Sequence, residues 1–253
     1  MYYKCIPERL GILSGCDHDR TLAAANHQYY ADRQGICYIY DVAPAEHDGY
    51  GYKLDKLSKF LSFNLFEYIF WIDDDGFFMQ PDKALTDFLD ENPDPDLIFC
   101  QSPINTFEGR EIRTYISSGN FFIRNTQRSR DFIQAVSQVS LEEVKNWWNE
   151  EELGFFSNGD QDAMIYLLKT DKRFQGDDFY TRLPFNNFNS RPFHFTKHAD
   201  QHFLVHFTGE KKQEQIDAFA ERFNLSSALI PEQALRGMQG LRPLTAQRAD
   251  NQR

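Results

Sequence analysis

The stretch YIFWIDDDGF, residues 68–77, runs an apolar and aromatic segment straight into three adjacent carboxylates. Tyr68–Ile72 does not alternate apolar with polar, which is the pattern of a strand covered on both faces. Such a strand belongs inside a sheet layered by helices, so this one stretch argues for an α/β fold. It also poses an electrostatic problem. Asp73, Asp74 and Asp75 repel one another at the end of a buried element, and something must offset that repulsion. In extended backbone, successive side chains point to opposite sides. Asp73 and Asp75 then face one way and Asp74 the other, which suits an Asp-x-Asp pair around one divalent cation. The competing reading is a solvated acidic turn whose side chains bond local backbone N–H groups.

The rest of the chain continues the alternation. Leu10–Ser14, Ile36–Val42, Asp96–Gln101, Gly119–Arg124 and Gln201–Phe207 read as strands. Thr21–Arg33, Pro81–Glu91, Gln127–Val139, Asp160–Lys169 and Ile216–Phe223 read as helices. Tyr52–Leu65 has apolar residues at 54, 57, 60, 61 and 65, a helical spacing, with Lys53, Lys56 and Lys59 interleaved. The pattern predicts an open, mostly parallel sheet with helices on both faces, in one domain over residues 1–240 with a polar tail over 241–253. FYTRLPFNNFNSRPFHF, residues 179–195, reads as a loop whose aromatic residues either pin it to the core or offer a surface to a sugar.

Composition narrows the function classes. A formal net charge of −11 lacks the basic footprint of general nucleic-acid or anionic-lipid binding. It remains compatible with a small anionic substrate, because a bound cation reverses the local field. Cys5, Cys16, Cys37 and Cys100 match no zinc or C-x-x-C spacing and read as free thiols of a reducing compartment. No apolar stretch reaches the ~20 residues of a membrane span, and the N-terminus lacks the shape of a signal peptide.

A second chemical feature is HFTKHADQHFLVHFTGEKK, residues 194–212. His194, His198, His202 and His206 recur every fourth residue, but HFLVHF is strand-like. His206 then ends a strand, as the aspartates do. Two Asp and one His would leave positions open for phosphate oxygens and water. That mixed set suits Mn²⁺, with Mg²⁺ as second choice. Lys211 and Lys212 follow Gly209, either as a solvated pair or as a cation on a diphosphate. SSGNFFIRN, residues 117–125, offers a glycine where backbone can approach a ligand closely. NGDQDA, residues 158–163, puts Asp160 and Gln161 at a helix start, where Asp160 can also serve as an N-cap.

Taken in order, RLGILSGCDHDR with the following helix, GICYIYDV, GYKLDKLSKFLSF, FWIDDDGFF, SSGNFFIRNTQRSRDFI, GDQDAMIYLL and LVHFTGEKK resemble the blocks of glycosyltransferase family 34. The resemblance runs from about residue 8 to about residue 212. It implies a GT-A fold and a retaining, metal-dependent transferase that moves a sugar, expected to come from a UDP-hexose or UDP-pentose, to a glycan or glycolipid acceptor. Asp73, Asp75 and His206 match the metal ligands. Lys211 matches the basic residue on the diphosphate. Lys56 matches a donor-facing lysine, Gly119 and Asn120 the donor-sugar contacts, and Asp74 belongs to the same donor site. Asp160 and Gln161 match the acidic-Gln pair beside the anomeric carbon. Ser14 and Gly15 fall where base and ribose sit. The familiar members carry a membrane anchor that this chain lacks, Glu210 stands in place of a cysteine, and the helix before the metal motif is shorter. The combined expectation is a cytoplasmic bacterial enzyme, free or at the inner face of the membrane. The alternatives are a catalytically silent nucleotide-sugar binding module and a sugar nucleotidyltransferase. The latter would carry a Gly-rich basic loop after the first strand, which SGCDHDR does not supply.

Overall fold

The computed structural model of the protein describes residues 8–16, 22–42, 51–107, 109–209 and 211–238. The strands are β1 (Glu8–Cys16), β2 (Cys37–Val42), β3 (Phe66–Ile72), β4 (Gly76–Phe78), β5 (Leu97–Cys100), β6 (Asn105–Phe107), β7 (Arg110–Ile112), β8 (Ser117–Arg124), β9 (Tyr180–Leu183) and β10 (Leu204–His206). The helices of four residues or more are α1 (Ala23–Gln34), α2 (Gly51–Phe63), α3 (Leu85–Glu91), α4 (Gln127–Gln138), α5 (Leu141–Trp147), α6 (Glu150–Leu153), α7 (Asp160–Thr170), α8 (Phe195–His198), α9 (Lys212–Phe223) and α10 (Glu232–Met238).

The central sheet has six strands in the order β2-β1-β3-β8-β5-β9. Five run the same way, and β8 is antiparallel to both of its neighbours. Neighbouring residues along each strand feed opposite faces. Leu13, Trp71, Phe99 and Phe121 pack on one side with Leu54, Leu57 and Leu61 of α2. Ile12, Phe70, Ile98 and Phe122 pack on the other with Tyr30 of α1 and Phe88 of α3. Covering both faces is why these strands read as continuous apolar runs. Helix ends obey local chemistry. Gly35 closes α1 in the left-handed region, with φ 64°, and donates its N–H to the Ala31 carbonyl. Thr126 caps α4 by accepting the Ser129 N–H.

The antiparallel strand builds the functional edge. Because β8 runs against β3, its start lies at the carboxyl end of β3, with Asn120 opposite Ile72. The Asp73 N–H donates to the Gly119 carbonyl at 2.8 Å. The SSGN stretch and the aspartates therefore meet at one edge, where open α/β sheets hold their ligands.

Two expectations differ from this arrangement. The strand expected over Gln201–Phe207 shortens to β10 and leaves the main sheet, pairing antiparallel with β4 so that His206 faces Gly76. Its own small core joins Phe77, Val205 and Phe207 to Ile216 and Phe219 of α9. The expected loop over 179–195 contains β9, an edge strand parallel to β5. The segment after α4 forms α5 and α6, separated at Trp148 and Asn149. The tail over 241–253, most of the loop after β1, and Glu210 lie outside the described residues. Among those described, Cys37 is exposed and Cys100 buried, both unpaired, and no helix is long and apolar enough to cross a membrane.

Candidate active site

Asp73, Asp75 and His206 come together, with one ligand atom of each within 4.8 Å of the others. A turn sets the two carboxylates, closed by the Gly76 N–H on the Asp73 carbonyl at 3.0 Å. The β4–β10 ribbon brings His206 to them, and the Phe207 N–H donates to the Asp75 carbonyl at 2.9 Å. His206 Nε2 lies 2.9 Å from Asp75 Oδ1. Two cis ligands on an ion with bonds of ~2.1 Å stand about 3.0 Å apart, so this separation fits a shared small cation. Lys212 Nζ meets the other Asp75 oxygen at 2.5 Å. Burial opposes the Asp75 charge, but His206 and Lys212 outweigh it and hold the carboxyl well below the usual carboxylate range. Burial pushes Asp73 the other way, above its ordinary value, against the pull of Lys53.

Asp73 divides its two oxygens. Oδ1 accepts the Trp71 indole N–H at 2.6 Å and faces Lys53 Nζ at 3.0 Å. Oδ2 lies on the side of Gly119. A Cβ built on Gly119 would sit 3.1 Å from Asp73 Oδ2, 3.0 Å from His206 Nε2 and inside contact distance of His206 Cε1. Only glycine leaves this space between the ligands. Two carboxylates, one imidazole and a cradle that a methyl group would fill make a set that fits a divalent cation.

Lys53 extends the site. It is 8% exposed, and its Nζ bridges Asp73 Oδ1 and Asp160 Oδ2, each at 3.0 Å, and donates to the Ser118 carbonyl at 3.0 Å. Desolvation disfavours its charge, but Asp160 and Asp73 overcome that and raise its pKa. Asp160 opens α7 but does not cap it. Asp162 takes that duty, accepting from the Gly159 N–H at 3.3 Å and the Ser157 hydroxyl at 3.0 Å. The Asp160 carboxylate is thus turned inward toward Lys53. Gln161 Oε1 accepts the Ser118 N–H at 3.3 Å, so both members of the pair lie beside the β8 start.

Other expected contacts are placed as follows. Ser14 and Asn120 are fully buried, and among the described residues the Ser14 hydroxyl and both polar atoms of the Asn120 amide have no hydrogen-bond partner. Buried polar groups are nearly always satisfied, so these point to a ligand or solvent that completes them. Gly15 packs where a Cβ would lie 2.5 Å from the Asp41 carbonyl and the Tyr52 hydroxyl. Asp74 is half-buried. Lys56 turns to Asp41 at 3.2 Å. Lys211 is exposed beside Glu214.

The family model for nucleotide-diphospho-sugar transferases matches residues 56–218, more than half of the chain. The chain belongs to that family. Among solved structures, this transferase is similar to a glycosyltransferase involved in the glycosylation of the major capsid of PBCV-1. Identity there is 16%, the TM-score 0.61, and the match covers 84% of this chain and 99% of that one. It is also similar to the glycosyltransferase GlyE of Streptococcus pneumoniae TIGR4, with 12% identity and a TM-score of 0.49, over 93% of this chain and 64% of that one. No curated protein matches the chain. The likeness to the first structure establishes the GT-A fold.

One group at the heart of this transferase's site, Lys53, escaped sequence reasoning. Lys53 was one of three interleaved lysines on α2, and the signal that separates it from Lys59 is helix phase. Lys53 stands beside Leu54 and Leu57 on the buried side, while Lys59 is exposed. Lys212, not Lys211, reaches Asp75, because Lys211 takes a left-handed conformation (φ 57°) just ahead of α9 and turns the next side chain back over the cluster.

Proposed function

We propose that this nucleotide-sugar glycosyltransferase is metal-dependent and retaining, and that it moves a hexose or pentose from a UDP-sugar to a hydroxyl of a glycan acceptor, giving an alpha linkage. The observation that carries the reading is the Lys53 bridge. It ties the Asp73–Asp75–His206 cluster to Asp160 through one buried cation, so the ligand set and the acidic-Gln pair form a single unit. The motif resemblance to glycosyltransferase family 34 supports retention.

In this reading Asp73, Asp75 and His206 hold Mn²⁺ or Mg²⁺, which when bound offsets the charge gathering on the departing β-phosphate. Lys212, half-exposed above Asp75, adds a movable positive charge at the same place. Lys53 bridges the Asp73 and Asp160 carboxylates and fixes the position of each. Gln161, with its oxygen held by Ser118, presents its amide N–H groups to the far face of the sugar. Asp160 accepts sugar hydroxyls, and the unpaired Asn120 amide and Ser14 hydroxyl take further donor contacts. The bond from the anomeric carbon to the β-phosphate oxygen breaks as the acceptor oxygen attacks on the same face. The acceptor proton passes to the departing phosphate oxygen.

Donor hydrolysis measured with and without Mn²⁺ tests this reading against its rivals. Release of nucleoside diphosphate only with the ion is the expected result. No donor hydrolysis, with release of pyrophosphate when a nucleoside triphosphate and a sugar 1-phosphate are supplied instead, would make the protein a nucleotidyltransferase. Absence of turnover across UDP- and GDP-sugars that bind would make it a silent module. A glycosyl adduct on Asp160 or Gln161, found by mass spectrometry, would replace the same-face route with a double displacement.

A further inference from the structure

The chain after β9 returns alongside β10. Ser190 bridges to Val205 in parallel, and the His206 N–H donates to the Ser190 carbonyl at 2.8 Å. This sets Asn189, which is fully buried, behind the His206 ring. Asn189 Oδ1 lies 3.0 Å from His206 Nδ1 and 2.9 Å from an Arg191 Nη1 that donates to it. Its Nδ2 donates to the Gln101 carbonyl at 3.2 Å.

A side-chain amide can usually be turned over, exchanging oxygen for nitrogen. Here both ends forbid it. A guanidinium only donates, so the atom it meets is the oxygen. A carbonyl only accepts, so the atom facing Gln101 is the nitrogen. Oδ1 therefore accepts from His206, and the ring carries its proton on Nδ1. When the ring is neutral, the lone pair of Nε2 is therefore left toward the cluster, where Asp75 Oδ1 has no hydrogen-bond partner among the described residues.

Arg191 is explained by the same arrangement. It is 8% exposed, and its Nε has no hydrogen-bond partner among the described residues. Burial lowers its pKa to about 10. A guanidinium sequestered this way costs stability. Among the described residues its one side-chain hydrogen bond is to Asn189, where a group that can only donate fixes the amide.

We propose that Asn189, locked by Arg191, is the positioning residue that sets the tautomer and ring orientation of His206, so that Nε2 is offered to the cation. This rests on the reading of Asp73, Asp75 and His206 as a metal site.

Two measurements test it. Long-range ¹H–¹⁵N spectra of the metal-free wild type, with the ring in its neutral form, are expected to show Nδ1 protonated and Nε2 bare. The reverse tautomer would overturn the proposal without reference to any metal. Mn²⁺ affinity, read by electron paramagnetic resonance of the free ion, is expected to fall about 10–100-fold in Asn189→Leu. Asn189→Asp keeps the acceptor for Nδ1 while losing the bond to Gln101, and is expected to recover most of that loss. A packing role would be damaged by both substitutions. Unchanged affinity in a folded Asn189→Leu protein would overturn the proposal. A wild type that does not bind Mn²⁺ would remove the metal reading instead, and the tautomer spectrum would still decide the hydrogen-bond claim.

Discussion

At the scale of single residues, the site depends on one missing side chain and on the direction of three adjacent ones. Gly119→Ala places a methyl group against His206 and Asp73. Overpacking of this kind costs about 1–3 kcal/mol in stability, but the larger effect is displacement of the ligand atoms. The expected outcome is a folded protein whose kcat/KM falls about 100-fold, with weakened Mn²⁺ binding. Normal Mn²⁺ affinity in that variant would mean that the cradle is not used. The aspartates are equally separable. Asp75 faces His206 and Lys212 inside the cluster, and Asp74 is not among the three grouped ligands. Asp74→Ser is expected to keep most of the activity and Asp75→Ala to abolish it. Equal losses in donor-hydrolysis assays would show that the three act together. The Asp-x-Asp pair was legible as carboxylates at the end of a buried strand, although a turn closed by the Gly76 N–H on the Asp73 carbonyl, and not extended alternation, directs its side chains. Asn189 was not, because its meaning comes from hydrogen bonds to Gln101, Arg191 and His206 that no spacing announces.

At the scale of elements, legibility followed length and burial. β3, β8, α2 and α4 were readable because a long apolar pattern fixes both type and face. β4 and β10 are three residues each, and each is defined by the other across a long stretch of chain. They nevertheless set the site, because their pairing brings His206 to Asp75. α1 braces this ribbon. Asn26 accepts the Phe78 N–H at 2.7 Å, and His27 Nε2 lies 2.8 Å from the Gly76 carbonyl. The carbonyl can only accept, so Nε2 carries the proton, and Nδ1 faces the Tyr38 hydroxyl at 3.1 Å. Burial lowers the pKa of His27 from 6.5 to about 4. The unfolded chain therefore binds the extra proton first as pH falls. Stability is full above pH 6.5 and is lost as pH drops through 4, by about 3 kcal/mol at 1.36 kcal/mol per unit. His27→Gln keeps a donor without the titration. Urea melts at pH 7 and pH 4 are expected to show the wild type losing about 3 kcal/mol more than this variant, and parallel losses would count against the buried neutral ring.

At the scale of the whole molecule, an acidic chain must hold an anionic donor. With a net charge of −11, the protein's general field repels a diphosphate, and local groups must reverse it. Lys53 cannot do this alone, since Asp73 and Asp160 already share its charge. Lys212 is spent on Asp75. In the proposed reading, a divalent cation on the cluster would engage Asp73 and Asp75 and free Lys212 for phosphate. The order of binding that this predicts is metal first, nucleotide sugar second. A ligand at 100 times its Kd stabilises the folded state by about 2.7 kcal/mol. For a chain of this length that corresponds to about 5 °C in Tm. Scanning calorimetry with Mn²⁺ is expected to show this shift in the wild type, EDTA to reverse it, and Asp75→Asn to lose it. A UDP-sugar is expected to add a further shift only when the ion is present. A full nucleotide shift in EDTA would mean that the lysines alone overcome the field, and a metal shift surviving in Asp75→Asn would move the ion away from this cluster.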